Sequence, residues 1–128
     1  MYGRGIQLGA ALIAMLFIAG CTVSPDPVGD VMTSLQSTNP SLRTRAVVKA
    51  GNEQDTRAIP LLIDRLEDSD LGVRMFAGMA LRKITGEDME WRFYEPGYTR
   101  QEAVKRWRQW QKRQVEKRRS LMQKPEAI

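Results

Sequence analysis

Of the side chains that most often supply nucleophilic, acid–base or metal-binding chemistry, this chain of 128 residues holds one cysteine, fifteen carboxylates and no histidine. The missing histidine removes Ser-His-Asp and Cys-His nucleophiles. A zinc site needs three or four Cys, His or carboxylate ligands, which this inventory does not favour. A single cysteine closes no intramolecular disulfide. No pair of carboxylates stands out by spacing as general acid and base. The expectation is therefore no catalytic residue, no metal and no cofactor. Cys21 is left as the one chemically distinctive position, and its meaning lies in what precedes it.

Residues 6–20 (IQLGAALIAMLFIAG) are apolar and small apart from Gln7, and Arg4 precedes them. That length suits the apolar region of an export signal and falls short of a comfortable bilayer span. The run ends Ile18-Ala19-Gly20-Cys21. This tetrapeptide resembles the lipobox of bacterial lipoproteins. The resemblance implies a signal peptide over 1–20, lipid attachment to the Cys21 sulfur, and cleavage before Cys21. It further implies a palmitate-bearing chain anchored at the cell membrane or outer membrane and facing the periplasm or exterior. No Asp follows Cys21, which leaves the outer membrane favoured. An uncleaved signal anchor with an incidental cysteine is the alternative. Residues 21–27, with Pro25 and Pro27, read as a short tether.

Between residues 28 and 86 the chain repeats at a spacing of 31. Leu35 matches Leu66, Asn39 matches Asp70, Leu42 matches Val73, Arg43 matches Arg74 and Ala46 matches Ala77. Repeats of this length mark stacked supersecondary units. In the second copy Ile59, Leu62, Ile63 and Leu66 share one helical face, as do Val73, Ala77, Ala80, Leu81 and Ile84. Asp70 and Asn39 are natural N-caps, the latter with Pro40 in the first helical position, and Asp26-Pro27 offers the same pairing to the first helix. Gly51 and Gly86 sit where helices should stop. Pro60 is awkward for a helix starting at Asp55, and a bend or a later start resolves it.

The stretch Ala58-Ile59-Pro60-Leu61-Leu62-Ile63, then Leu66, Asp68, Asp70, Val73-Arg74, Ala77, Ala80-Leu81 and Ile84-Thr85-Gly86, resembles the HEAT repeat family. The first copy departs from it, with Val28-Gly29 in place of Ile-Pro. The resemblance implies an all-α fold, a short α-solenoid of two helical hairpins. It also implies a ladder between repeats, with Asn39 and Asp70 as the turn residues and Arg43 and Arg74 as the arginines. Those residues read as structural, capping helices and linking repeats.

Beyond Gly86 the composition changes. Residues 91–110 hold six of the nine aromatics, and residues 87–98 form an acidic loop with Pro96-Gly97 as a turn. Thr99-Arg-Gln-Glu102 reads as a capping box opening a basic amphipathic helix over 99–124, with Glu102 placed to pair with Arg106. Its first half, through Trp107 and Trp110, is expected to cap the open end of the stack. Residues 100–124 carry ten cations against two carboxylates, whereas residues 21–99 carry nine against twelve. Lys112, Arg113, Lys117, Arg118, Arg119 and Lys124 are either a solvated helix end or a contact for an anionic surface.

These readings converge on a membrane-anchored interaction or scaffolding module. Its partners are the membrane, through Cys21, and a protein. Nucleic acid is not expected, because export argues against it. A structural envelope lipoprotein touching anionic lipid or cell wall through the basic helix is the alternative. A tetrapyrrole-attaching enzyme, as some HEAT-like proteins resemble, is the least favoured.

Overall fold

The computed structural model describes residues 28–124. Ile18, Ala19, Gly20 and Cys21, with the signal peptide and tether, lie outside the described residues. The elements are α1 (Val31–Ser34), α2 (Pro40–Asn52), a 3-10 turn (Thr56–Ala58), α3 (Ile59–Arg65), α4 (Leu71–Thr85) and α5 (Gly97–Gln123). The protein is all-α: two hairpins, α1–α2 and α3–α4, stack as a short solenoid, and α5 follows.

Helix starts are written in side chains that accept the otherwise unpaired first-turn N–H groups. Asp30 accepts from Thr33 N–H, Asn39 from Ser41 N–H and Asp70 from Val73 N–H, each at 2.9 Å. The first described helix thus begins at Val31, after Asp30, and the Asp26-Pro27 pair lies outside the described residues. Pro60 is accommodated by a late start. Asp55 caps the short 3-10 turn through Arg57 N–H, α3 opens at Ile59, and Pro60 stands in its first turn, where no intrahelical N–H is required. Gly86 ends α4 in the left-handed conformation at φ 77°, its N–H donating to the Arg82 carbonyl. Gly51 does not end α2. It lies inside the helix, where its missing side chain lets α4 approach, and a Cβ there stands 3.1 Å from the Ala80 Cα.

The inner helices α2 and α4 form the main interface, with α1 on α2 and α3 on α4. Leu35, Val47, Leu62, Ile63, Leu66, Val73 and Leu81 are fully buried between these layers. α5 closes the end of the second hairpin. Arg108 reaches Asp64 at the C-terminal end of α3, while Trp110 and Gln111 lie beside Ile59 and Pro60 at its start. The two helices therefore run antiparallel. Ala103, Val104 and Trp107 enter the core, Trp107 with 1 % exposure.

α5 departs from expectation at its start. It begins at Gly97 after Pro96, with no side-chain cap, so the Thr99–Glu102 capping box does not form. Glu102 pairs with Lys105 at 2.6 Å. Arg106 instead donates to the Met89 carbonyl at 3.0 Å, tying α5 to the aromatic loop. That loop folds onto α4. Trp91 is buried against Gly78, where an added Cβ falls 2.3 Å from the Trp91 ring. Gly78→Ala therefore has to expel the indole. It is expected to destabilise the fold by about 1–3 kcal/mol in urea unfolding, despite the better helix propensity of alanine. A neutral or stabilised midpoint contradicts this packing.

Candidate functional site

The residues of the repeat ladder are brought together, but with a different carboxylate from the one expected. The Arg43 Nε and Nη2 donate to the two Asp68 oxygens at 2.8 and 2.7 Å, and Nη1 donates to the Ser37 and Thr38 carbonyls. Both side chains of the pair are almost fully covered, at 8 % and 2 % exposure. Asp68, not Asp70, is thus the rung between repeats. Asn39 and Asp70 serve as N-caps. Arg74 repeats the Arg43 contacts one unit later, with Nη1 on the Asp68 and Ser69 carbonyls. Its buried Nε has no hydrogen-bond partner among the described residues, because no third turn follows to supply a carboxylate.

Burial alone pushes the Asp68 carboxyl up. Hydrogen bonds from Arg43 and from the Asp70 N–H, with the nearby Arg65 charge, outweigh it and hold Asp68 below the ordinary carboxylate range. This cluster builds the stack and leaves no face for a ligand.

The surface that is left open lies along α2 and α4. Positions outside the core stripe, 31 apart, form a ridge on each helix: Arg45, Val48 and Asn52 on α2, then Phe76, Met79 and Lys83 on α4. Met79 is 59 % exposed and Val48 37 %. Lys83 crosses to Asn52 at 2.7 Å, joining the two ridges at their equivalent positions. A hollow of about 180 Å³ lies between Val48, Phe76, Met79 and Lys83. A second, open cleft of about 550 Å³ lies between α4 and the aromatic loop, lined by Met75, Met79, Arg82, Asp88, Arg92, Phe93 and Tyr94. Met79 lines both, so the two form one continuous surface. Tyr94 stands 68 % exposed on its rim, edge-on to Phe93 at 5.2 Å.

Its electrostatics are one-sided. Neither α2 nor α4 contains an Asp or Glu. Asp88, from the loop, is held by Arg92 at 2.9 Å and faces Arg82 at 4.0 Å. The surface can therefore take apolar side chains flanked by anionic groups. It has no acid–base pair, and no cluster of three Cys, Asp or Glu suited to a metal is present among the described residues. Sequence reading passed over this ridge because it follows the core positions alone. The signals were present: the same 31-residue spacing links Val48 to Met79 and Asn52 to Lys83, and both inner helices lack acids.

The other candidates lie apart from it. Lys112, Arg113, Lys117, Arg118 and Arg119 are exposed on the far half of α5, and Lys124 is exposed just past its end. Among the described residues no helix is long and apolar enough to cross a membrane.

A family model of HEAT repeats matches residues 30–89, the span from the α1 N-cap to the loop after α4. The two stacked hairpins are HEAT-like, and the match ends before α5. No curated protein and no solved structure matches the chain.

The Arg43–Asp68 pair sets how the fold responds to acid. A carboxyl held low in the folded state contributes stability above its unfolded pKa, near 4, and loses it as pH falls through the lower folded value. Asp68→Asn is expected to cost about 3 kcal/mol at pH 7 by stranding the buried guanidinium. It should also shrink, without abolishing, the loss of stability below about pH 4, because Asp30, bonded by Thr33, and Asp55, bonded by Arg57, are lowered as well. Urea unfolding of both proteins between pH 7 and 3 reads both effects.

Proposed function

We propose that this chain is a lipid-anchored interaction module: Cys21 holds it at a membrane of the cell envelope, and the open α2–α4 surface receives a segment of a partner protein. The observation that carries the binding half is the ridge of exposed Val48 and Met79 with half-buried Phe76 between them, and the Met75–Tyr94 cleft beside it. HEAT-like stacks expose the face of successive inner helices as an extended binding surface. Methionine suits such a surface, because its unbranched, polarisable side chain adapts to what it meets. The cationic rim favours a partner segment with anionic groups beside its apolar anchors. The hollows are open, so the fit is to a segment laid across them and not to an enclosed small molecule.

The membrane half rests on sequence. The only cysteine of the chain closes an apolar, small-residue run, and the segment that follows is rich in proline. One acyl chain binds a bilayer marginally, whereas the two or three of a lipoprotein hold it firmly. A catalytic reading has less to stand on, since the one carboxylate lining the clefts, Asp88, is already engaged by arginine.

Two measurements test the two halves separately. A photoreactive residue at position 79 should give a discrete crosslinked species in intact cells. Lys83→Glu together with Arg82→Glu should weaken that species at least about tenfold, while crosslinking from Glu67 on the outer side should give none. Equal crosslinking from both positions removes the binding surface. Mass spectrometry of the chain extracted from membranes should find an acylated N-terminal Cys21. Cys21→Ser should leave the chain unacylated and uncleaved, and an intact Met1 on the native chain would sink the anchor.

A further inference from the structure

We infer that the far half of α5 is an electrostatic contact for an anionic lipid surface. The stack needs only the first part of this helix: Ala103, Val104 and Trp107 are buried and Trp110 is half-buried, but every residue from 112 to 124 is exposed. At 1.5 Å per residue, about 18 Å of helix therefore runs on beyond its buried contacts. A solvent-exposed extension of this length is marginal by itself and draws its order from the docked half.

Six of its thirteen residues are cations, and Glu116 is the one acid. Helical periodicity divides them. The side that continues the buried stripe carries Val115, Leu121 and Met122, all three exposed, and Arg118, which lies with Val115 beside Thr56 and Pro60. The opposite side carries Lys105, Lys112, Arg113 and Arg119, with Glu102 paired to Lys105 and Glu116 to Arg119, and Lys124 follows just past the helix end. From residue 112 onward it has no exposed large apolar residue to serve as the anchor that a protein interface is built around. A row of point charges without an anchor matches a diffuse, planar anionic layer. Choosing lipid over nucleic acid rests on the membrane reading above. The cationic face does not.

The test uses the full chain carrying Cys21→Ser, so that no acyl group contributes, and Ser120→Cys labelled with an environment-sensitive fluorophore. Position 120 lies on the cationic side, so the signal reports contact by this helix and not by residues 1–20. Vesicles of phosphatidylglycerol and phosphatidylcholine in a 1:3 ratio are expected to shift the emission. Pure phosphatidylcholine should not shift it, and about 0.5 M salt should reverse the effect. Replacing Lys112, Arg113 and Lys124 together by glutamine should weaken vesicle affinity about a hundredfold, at about fivefold per cation. An equal shift with pure phosphatidylcholine overturns the inference. So does an unchanged affinity in the glutamine variant, or tighter binding to a 20-base-pair DNA than to the anionic vesicles. Acylation of Cys21 in the native chain is measured independently, so loss of the anchor and loss of this contact are separate results.

Discussion

The buried pair of Arg43 with Asp68 is the constraint on which the stack turns. Apolar burial between α2 and α4 is non-directional and would tolerate a slide of one helix along the other. A guanidinium that must meet one carboxylate bidentately at 2.7 and 2.8 Å, while its third nitrogen holds two carbonyls of its own turn, does not tolerate it. Asp68 is bound in turn to the Asp70 N–H and to Arg65. The pair thus joins the turn of one hairpin to the turn of the next and sets their register. Gly51 can then meet the Ala80 backbone, and the two ridges that carry Val48 and Met79 come level.

Two hairpins leave an apolar face at the end of the stack, and the chain closes it with two different devices. α5 lays Trp107 and its neighbours over the second hairpin, antiparallel to α3. The loop before it inserts Trp91 against Gly78. These pieces are tied by Arg106 on the Met89 carbonyl, in a segment where Met89 and Glu90 both have positive φ, at 54° and 55°. Such backbone is uncommon for side chains of this kind and persists where surrounding contacts over-determine it. Sealing α4 in this way leaves part of it uncovered, and that remainder becomes one wall of the Met75–Tyr94 cleft.

Much of this was legible in the sequence, and the pattern of what was not has a physical basis. Helix starts at Pro40 and Leu71 followed from Asn39 and Asp70, because capping is a local interaction among three or four residues. The late start of α3 was one of two solutions left open by Pro60. The rung was misplaced by two residues because Asp68 and Asp70 are both turn carboxylates. Which one caps and which one bridges is decided across 25 residues by Arg43. The Thr99–Glu102 box fitted the local rule, but α5 opens two residues earlier, at Gly97, so the Thr99 N–H is already bonded to the Pro96 carbonyl and Glu102 pairs with Lys105 one turn on. The open ridge was missed for a related reason. A period reports which side of a helix is buried, and leaves open which exposed side chains gather into a surface.

Charge placement shows how far physics of the fold alone explains that surface. Asp30, Asp55 and Asp70 stand at helix N-termini, where the N–H groups and the helix dipole favour them. Lys49, Arg82 and Lys83 stand in the last turns of α2 and α4, which the same dipole favours. Capping therefore sends the acids into the turns and leaves the inner helices cationic, with no partner invoked. The apolar ridge has no such explanation. Nothing in helix capping or in the core calls for Met79 at 59 % exposure beside Phe76 and Val48, in a hollow that continues into an aromatic-lined cleft. Adjoining apolar side chains left in water on a folded surface are a cost of hydration that burial elsewhere does not recover. The apolar ridge, more than the charge around it, is what the proposed binding surface rests on.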